Sequence, residues 1–576
     1  MPLVRISDFG KLALALDPQS TLLEPGQWSK LLNIDLLAGD IRSALGDTML
    51  FDQPPVKPIY TYAFEGILST YLVISDGTQV YVFRNEEWVE LTTVGTAPSE
   101  FKWDDSNETW DTAASYWDAY TEGGDPGALV QGRVTYTVFL GTLIVSSTEG
   151  VPLYWPDETG KLELLPSWDP SWRCFEIHAF TNHLVALGFD DQLVSGAKFR
   201  VAWSDAAAEG EIPQAWKSTS ENLAGSVQLR DTDKYLVTAE LFGDDLAIYK
   251  KDSIYRMFLR GDEFIMGFDR VIVDHGCDSP DGVTALQGMH FFADSGDIRV
   301  FDGQTTKSIA DLAVRSSLAA GISDQFRDAT KVVAWPYRSE IWIGVVPAGS
   351  DHVDAVLIYN LIHGGSWVTK NYPNTISMIV GSFAATSVTD TQIWDEGNDI
   401  WDNAEERWNL SVFEPAESGL IIGRRQEYVP LESLPQAILC QDFSTASLKF
   451  VQPGVFADGG EIYRVDVTNT DPDGNAKYCV AERSGFVISD LEQNVTIKAV
   501  YLEMEGTATV DVEIGAQWHA GDTIRWTLPQ PFTPGIDKRI NVRITGAPCA
   551  LRISSREDAW WRLGAVSFLL TEASRR

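Results

Sequence analysis

Phe291-Phe292-Ala293-Asp294-Ser295-Gly296-Asp297 runs straight into Ile298-Arg299-Val300-Phe301-Asp302-Gly303. An apolar run, a polar turn with glycine and a second apolar run are the signature of a β-hairpin. Tyr71-Leu72-Val73-Ile74-Ser75-Asp76-Gly77 leads into Val80-Tyr81-Val82-Phe83 in the same way. Further strands begin near Leu143, Leu184, Leu246, Ile341 and Leu420. The seven starts, near 71, 143, 184, 246, 291, 341 and 420, are spaced by 72, 41, 62, 45, 50 and 79 residues. A period of roughly 40–50 residues carrying several strands predicts a β-propeller, with insertions in the two longest gaps. Helical periodicity is scarce, and residues 307–320 are the best candidate for one short helix.

Each long gap holds the same pattern. Trp103-Asp104, Trp110-Asp111 and Trp117-Asp118 recur as Trp394-Asp395, Trp401-Asp402 and Trp408-Asn409, each triplet stepping by seven residues. A heptad helix would give this step. Asp105, Ser106, Asn107, Gly397 and Asn398 between the tryptophans favour turns instead. Two readings stand: strand–turn modules with tryptophan packed inward and aspartate closing the turns, or acidic tryptophan lips that bind a partner.

Beyond about residue 440 the texture changes. Alternating strands over 498–504, 508–514, 524–528, 539–545, 550–554 and 563–570 predict a β-sandwich. The expected division is an N-terminal arm over 1–48, a propeller over 49–439 with W-D insertions near 99–125 and 390–410, and a sandwich over 440–576. The expected fold class is all-β.

Composition narrows the function. The chain has 576 residues, 44% hydrophobic and 22% charged, with 20 Trp, 18 Tyr and 26 Phe, so it can bury a large aromatic core. Its net charge of −38 opposes a nucleic-acid coat or a membrane-surface protein, which need a basic face. No stretch approaches the roughly 18 apolar residues that cross a bilayer. No signal peptide is visible, and synthesis in the cytosol is expected. The cysteines, at 174, 277, 440, 479 and 549, form no CxxC and read as small buried hydrophobes in a reducing compartment.

The chain carries no complete catalytic signature. The seven histidines lack metal-ligand spacing, and His178 and His183, five apart, share neither a helix face nor a strand face. No GxSxG, Walker loop or dinucleotide fingerprint occurs. Asp471-x-Asp473-Gly474 opens like a calcium loop but lacks the later glutamate, and reads as a turn. Trp103 to Trp110 matches a sialidase Asp box only in part. The expectation is a non-enzyme with no catalytic, cofactor or metal residues and no cofactor.

Asp245-Leu246-Ala247-Ile248-Tyr249-Lys250 precedes Ser253-Ile254-Tyr255-Arg256-Met257, then Gly276-Cys277-Asp278-Ser279-Pro280, Phe291-Phe292 and Asp297 to Gly303. This central stretch resembles the nozzle proteins of short-tailed bacteriophages, also called tail tubular or DNA-stabilising tail proteins. Leu22-Leu23-Glu24-Pro25-Gly26 with Asn33, the W-D triplets, Gly364-Gly365-Ser366-Trp367, Arg552-Ile553-Ser554-Ser555 and Trp561-Arg562-Leu563 extend the likeness along the chain. The resemblance implies a virion tail protein, a homohexameric ring, neighbouring tail or adaptor proteins and tail fibres as partners, and genomic DNA passing without sequence-specific contact or membrane insertion. A hexamer would carry 6 × 38 = 228 excess negative charges. An acidic lumen would repel DNA over a Debye length of roughly 8–10 Å and let it slide. The competing expectation is a carbohydrate-binding or carbohydrate-cleaving propeller that contacts the host surface.

Overall fold

The computed structural model describes residues 3–92, 130–382, 419–425 and 460–575, apart from short stretches in loops. The described chain is all-β. Its helical content is one α-helix, Arg315–Gly321, and short 3-10 turns. The helix expected over 307–320 is therefore shorter and later, because Thr306–Ser308 is claimed as the outer strand of a four-stranded sheet.

Five separate antiparallel sheets have four strands in sequence order, starting at Tyr60, Val134, Glu176, Leu236 and Val283. A sixth blade runs from Lys331–Trp335 through Glu340–Val345 and Val353–Asn360 to the first half of Ser366–Gly381. A seventh is assembled from distant segments. The second half of the Ser366–Gly381 strand pairs with Gly419–Arg425, which pairs with Gly460–Thr468, which pairs with Gly46–Phe51. First strands of successive blades touch in order around a ring. The long strand that begins blade 7 closes it against Tyr60–Glu65 of blade 1. Ile421 and Ile462 of blade 7 pack with Leu72 and Ile74 of blade 1. Among the described residues the propeller thus has seven blades.

Each of the seven apolar runs read from the sequence is the second strand of its blade: Thr70–Ser75, Thr142–Ser147, His183–Leu187, Asp245–Lys250, Met289–Asp294, Glu340–Val345 and Gly419–Arg425. That position has a strand on either side and a neighbouring blade on either face, so both sets of side chains are buried. Such strands read as continuous apolar runs rather than alternating ones.

The C-terminal unit is a β-sandwich. One sheet joins Lys30–Leu32, Cys479–Phe486, Cys549–Ser555 and Val510–Ala516. The facing sheet joins Ile34–Leu36, Ile41–Ser43, Trp561–Arg575, Gln493–Gly506 and Ile540–Gly546, with Leu3–Ser7 added to the Trp561–Arg575 strand. Val512, Ile553, Val500 and Phe568 lie in the core between them. Two expected boundaries move. Gly460–Thr468 belongs to blade 7, so the sandwich begins later than 440. The N-terminal residues are not a separate arm: they supply strands to both sandwich sheets and the outer strand of blade 7. Strand partners are chosen by free edges in space, which the local pattern does not encode.

A buried ionic network ties these parts together. The Lys370 ammonium of blade 6 lies 2.9 Å from Asp35 of the N-terminal segment and 3.0 Å from Asp466 of blade 7. Arg338 reaches the same Asp466. Nearby, Lys477 lies 3.5 Å from Asp47, and the Tyr372 hydroxyl donates to Asp47 at 3.1 Å. Burial alone would raise the Asp35 pKa, but Lys370 and Arg338 outweigh it and hold the carboxyl well below the usual range. At Asp47 burial prevails over Lys477, and the pKa is raised.

Candidate functional site

The inner strands of the blades face the propeller axis, and charged side chains meet across it. Arg133 stands immediately before the inner strand of blade 2, Glu176 begins that of blade 3, Asp281 lies just before that of blade 5, and Lys331 begins that of blade 6. The Arg133 guanidinium forks, pairing with Glu176 through Nη1 and with Asp281 through Nη2 at 2.7 Å. Lys331 Nζ donates to the other Asp281 oxygen, also at 2.7 Å. The Arg133–Asp281 bridge spans from blade 2 to blade 5 and so obstructs the axis. His178 Nε2 contacts the second Glu176 oxygen at 2.9 Å.

The environment sets the protonation of these groups. Burial would raise both acids, but Arg133 and His178 depress Glu176, and Lys331 with Arg133 depress Asp281. Glu240, also on an inner strand, is raised by burial, with His178 opposing the shift and Glu176 adding to it. Carboxyls whose pKa values are pushed in opposite directions therefore belong to neighbouring inner strands. Tyr62 and Tyr136 stack beside one another with centroids 5.5 Å apart.

Above this plug opens a cavity of about 450 Å³, lined by Lys57, Tyr60, Arg133, Asp281, Lys331 and Arg425 among others. These residues mark the face where inner strands begin and second strands end. The Asp281 side chain is 39% exposed because it faces this cavity.

The W-D residues proposed from sequence, Trp103, Asp104, Trp110, Asp111, Trp117, Asp118, Trp394, Asp395, Trp401, Asp402 and Trp408, lie outside the described residues. Their points of attachment are described. The first segment leaves after Thr92, beyond the outer strand of blade 1, and returns at Val130 before the inner strand of blade 2. The second leaves near Gly381 at the end of the inner strand of blade 7 and returns at Gly419 in its second strand. Connections in an antiparallel meander alternate between ends. The two attachment points therefore fall on opposite faces, the first on the cavity side.

The axial charges were missed in the sequence, where Arg133, Glu176, Asp281 and Lys331 are four among many ionisable residues. A usable signal existed: each is at, or within two residues of, the first position of an inner strand. Among the described residues, two buried histidines are held by local hydrogen bonds. His183 Nδ1 is 2.8 Å from the Ser204 carbonyl, while His290 lies 2.8 Å from both the Tyr249 hydroxyl and the Leu241 carbonyl. Cys174, Cys277, Cys479 and Cys549 are buried free thiols, and burial pushes Cys549 up to about 12. Among the described residues no three potential metal ligands converge, and no helix is long and apolar enough to cross a membrane.

The central stretch from Asp245 to Gly303 forms one joint between blades 4 and 5. The Cys277 amide donates to the Lys250 carbonyl at 2.9 Å, and the Asp278 amide donates to the Ala293 carbonyl at 3.0 Å. Cys277 packs with Tyr249, Ile254, Phe292 and Phe301. A Cβ on Gly276 would stand 2.0 Å from the Lys250 carbonyl oxygen, so only glycine admits this approach.

No family model matches the chain, and no curated protein matches it. Similar solved structures include PorZ, an essential bacterial surface component of the type-IX secretion system of Porphyromonas gingivalis. It is 10% identical, with a TM-score of 0.29 over 60% of this chain and 36% of that one. Another is a protein of Bacteroides fragilis described as exported, 9% identical, with a TM-score of 0.26 over 44% of this chain and 73% of that one. This chain thus spans about a third of the length of PorZ, and likenesses this distant carry no functional argument.

Proposed function

We propose that the protein is a structural subunit of the distal tail nozzle of a short-tailed phage, assembled as a homohexameric ring that retains the genome and then passes it. The observation that carries this reading is the blade 4–blade 5 joint. The central motifs of that likeness, between Asp245 and Gly303, meet in one contact surface, with Cys277 packed among Tyr249, Ile254, Phe292 and Phe301. Fold alone would not give function.

In this reading DNA passes between subunits, around a shared axis, because ion pairs obstruct the axis of each propeller. A closed ring needs a heterologous interface, with two different faces of each subunit meeting. The surplus acid faces the shared lumen, where it repels the phosphates and keeps the duplex central.

Imaging of assembled tails labelled on this chain tests the proposal. Six copies around a through-channel at the tail tip support it. An isolated subunit or an open filament overturns it. A closed ring whose wall carries more Lys and Arg than Asp and Glu would keep the ring but refute the sliding argument.

A further inference from the structure

One outer face of the C-terminal sandwich carries cations that the fold leaves unpaired. Ile540–Gly546 is the end strand of its sheet and pairs with Gln493–Gly506. Alternation sends Ile540 and Val542 into the core and Asn541 and Arg543 outward. Arg539, just before the strand, continues the outward row, and its Nη1 donates to the Tyr501 hydroxyl at 3.4 Å. Lys498 stands on the adjoining strand at an irregular step in the ladder, level with Val542 and Arg543. Lys498, Lys538, Arg539 and Arg543 are all exposed, and among the described residues none of them pairs with a carboxylate. The acids of the adjoining strand, Glu503 and Glu505, lie beyond Tyr501, and Arg5 takes Glu503 at 2.8 Å. Asp537, beside Lys538 in the chain, accepts from the Thr533 amide at 2.8 Å. With 82 acids to 44 bases, a cation in this chain readily finds a carboxylate, as Lys370, Arg133 and Lys331 do. Four that find none, on one strand and its neighbour, make a local surface of opposite sign to the molecule.

The shape of that surface selects the kind of anion. A strand rises about 3.4 Å per residue, so Arg539 and Arg543 stand about 14 Å apart along the row. Arg525 donates to the Thr545 carbonyl at 2.8 Å, which extends the row to about 20 Å. Its guanidinium also stacks on Trp518, 4.2 Å from the ring centre, and is held at that end. A small anion would meet one or two of these groups, whereas a linear polyanion meets them all. Contacts to phosphates need donors and position, without base readout. At 0.1 M salt the Debye length is about 10 Å, so a duplex lying on the row feels these cations while the chain's distant acids are screened.

We propose that this sheet face is a docking surface for the phosphate backbone of duplex DNA. The choice of DNA among linear polyanions rests on the nozzle reading; the basic row itself does not. Phosphates lie along Arg539, Asn541 and Arg543, with Lys498 on one flank and Lys538 and Arg525 at the two ends. The row holds the duplex, and the acid elsewhere on the chain keeps it from adhering, so retention and passage belong to different surfaces of one subunit. In a ring, six weak rows around one duplex act together through effective concentration.

Fluorescence anisotropy tests the proposal on the full chain, with a labelled duplex of about 20 base pairs as probe and poly-L-glutamate as the acidic-peptide control. Four phosphate contacts at about 0.9 counterions each give a salt slope of about −3.6, with Kd on the order of 10–100 μM at about 50 mM salt. Affinity should therefore fall about twelvefold on doubling the salt to about 100 mM. Arg543→Gln, Arg539→Gln and Lys498→Gln should each weaken binding about tenfold at the lower salt and bring the slope down by about 1. These side chains are exposed, so thermal unfolding should not change. Lys161→Gln, exposed on blade 2, should leave the affinity as it is. No saturable duplex binding at the lower salt, binding unaffected by the row substitutions, or poly-L-glutamate bound more tightly than the duplex would each overturn the proposal, the last by pointing to an acidic protein as the partner. Binding is read on the isolated chain and the ring is read by imaging of tails. A chain that binds duplex through this row but is absent from tail tips sinks the nozzle reading alone, and a tail-tip ring whose row binds no duplex sinks this proposal alone.

Discussion

Lys370→Met removes the cation that three parts of the chain share. In the native fold its ammonium lies 2.9–3.0 Å from Asp35 and Asp466 and is buried with them. Each contact is worth about 5–6 kcal/mol of gross Coulomb energy at an effective dielectric near 20, most of it offset by desolvation. Methionine fills a similar volume but leaves two carboxylates in one buried site, with Arg338 still against Asp466 and Arg42, at 3.2 Å, against Asp35. Breaking a buried pair in this way costs about 3–5 kcal/mol. With a urea slope near 3 kcal/mol per molar, the main transition should fall by about 1–2 M.

The pH dependence has a definite sign. Asp35 has a depressed folded pKa, so its contribution is present above about pH 4 and lost as pH falls further. Burial lowers the Lys370 pKa but the two aspartates outweigh it, so its folded value is raised, and its contribution is lost only in strong alkali. In Lys370→Met the crowded carboxylates take up a proton more readily, so the penalty should shrink between pH 7 and pH 4. The double variant Lys370→Met/Asp466→Asn should recover part of the loss. A single-variant cost below about 1 kcal/mol, or a double variant as unstable as the sum of both singles, would refute the coupling.

Met49→Pro should unlatch blade 7, since Met49 pairs with Tyr463 in its outermost ladder, and limited proteolysis should then cut near 419–468 well before the other blades. Phe292→Ala, at a fully buried position in the blade 4–blade 5 joint, should cost about 3–5 kcal/mol by denaturant unfolding. Burial lowers the pKa of His290, so stability should be full above about pH 6.5 and decline toward pH 5, a slope that His290→Gln should flatten. The packed-tryptophan reading of the W-D triplets expects Trp110→Ala and Trp401→Ala to lose about 3–5 kcal/mol each, and unequal losses would show that the two triplets are not equivalent.

The all-β class, the propeller and the beginning of each blade's second strand were legible in the sequence. A strand enclosed on both faces is apolar along its middle, and that requirement is written in four consecutive residues, as in Tyr71 to Ile74 or Leu246 to Tyr249. Six of the sandwich strands, all beyond residue 490, were legible through alternation for a related reason, whereas Cys479–Phe486 and the strands lent by the N-terminal residues were not. Ring closure was not: Met49 and Tyr463 become neighbours across more than four hundred residues, and nothing local in Gly46–Phe51 distinguishes a latch from any other strand. Nor was the charged axis legible. Arg133, Glu176, Asp281 and Lys331 look like ordinary surface charges until four blades aim them at one volume. Burial pattern is a local property that the sequence records directly, whereas partnership between charges depends on distance in space. The tertiary structure alone decided which of 82 acids meet which of 44 bases.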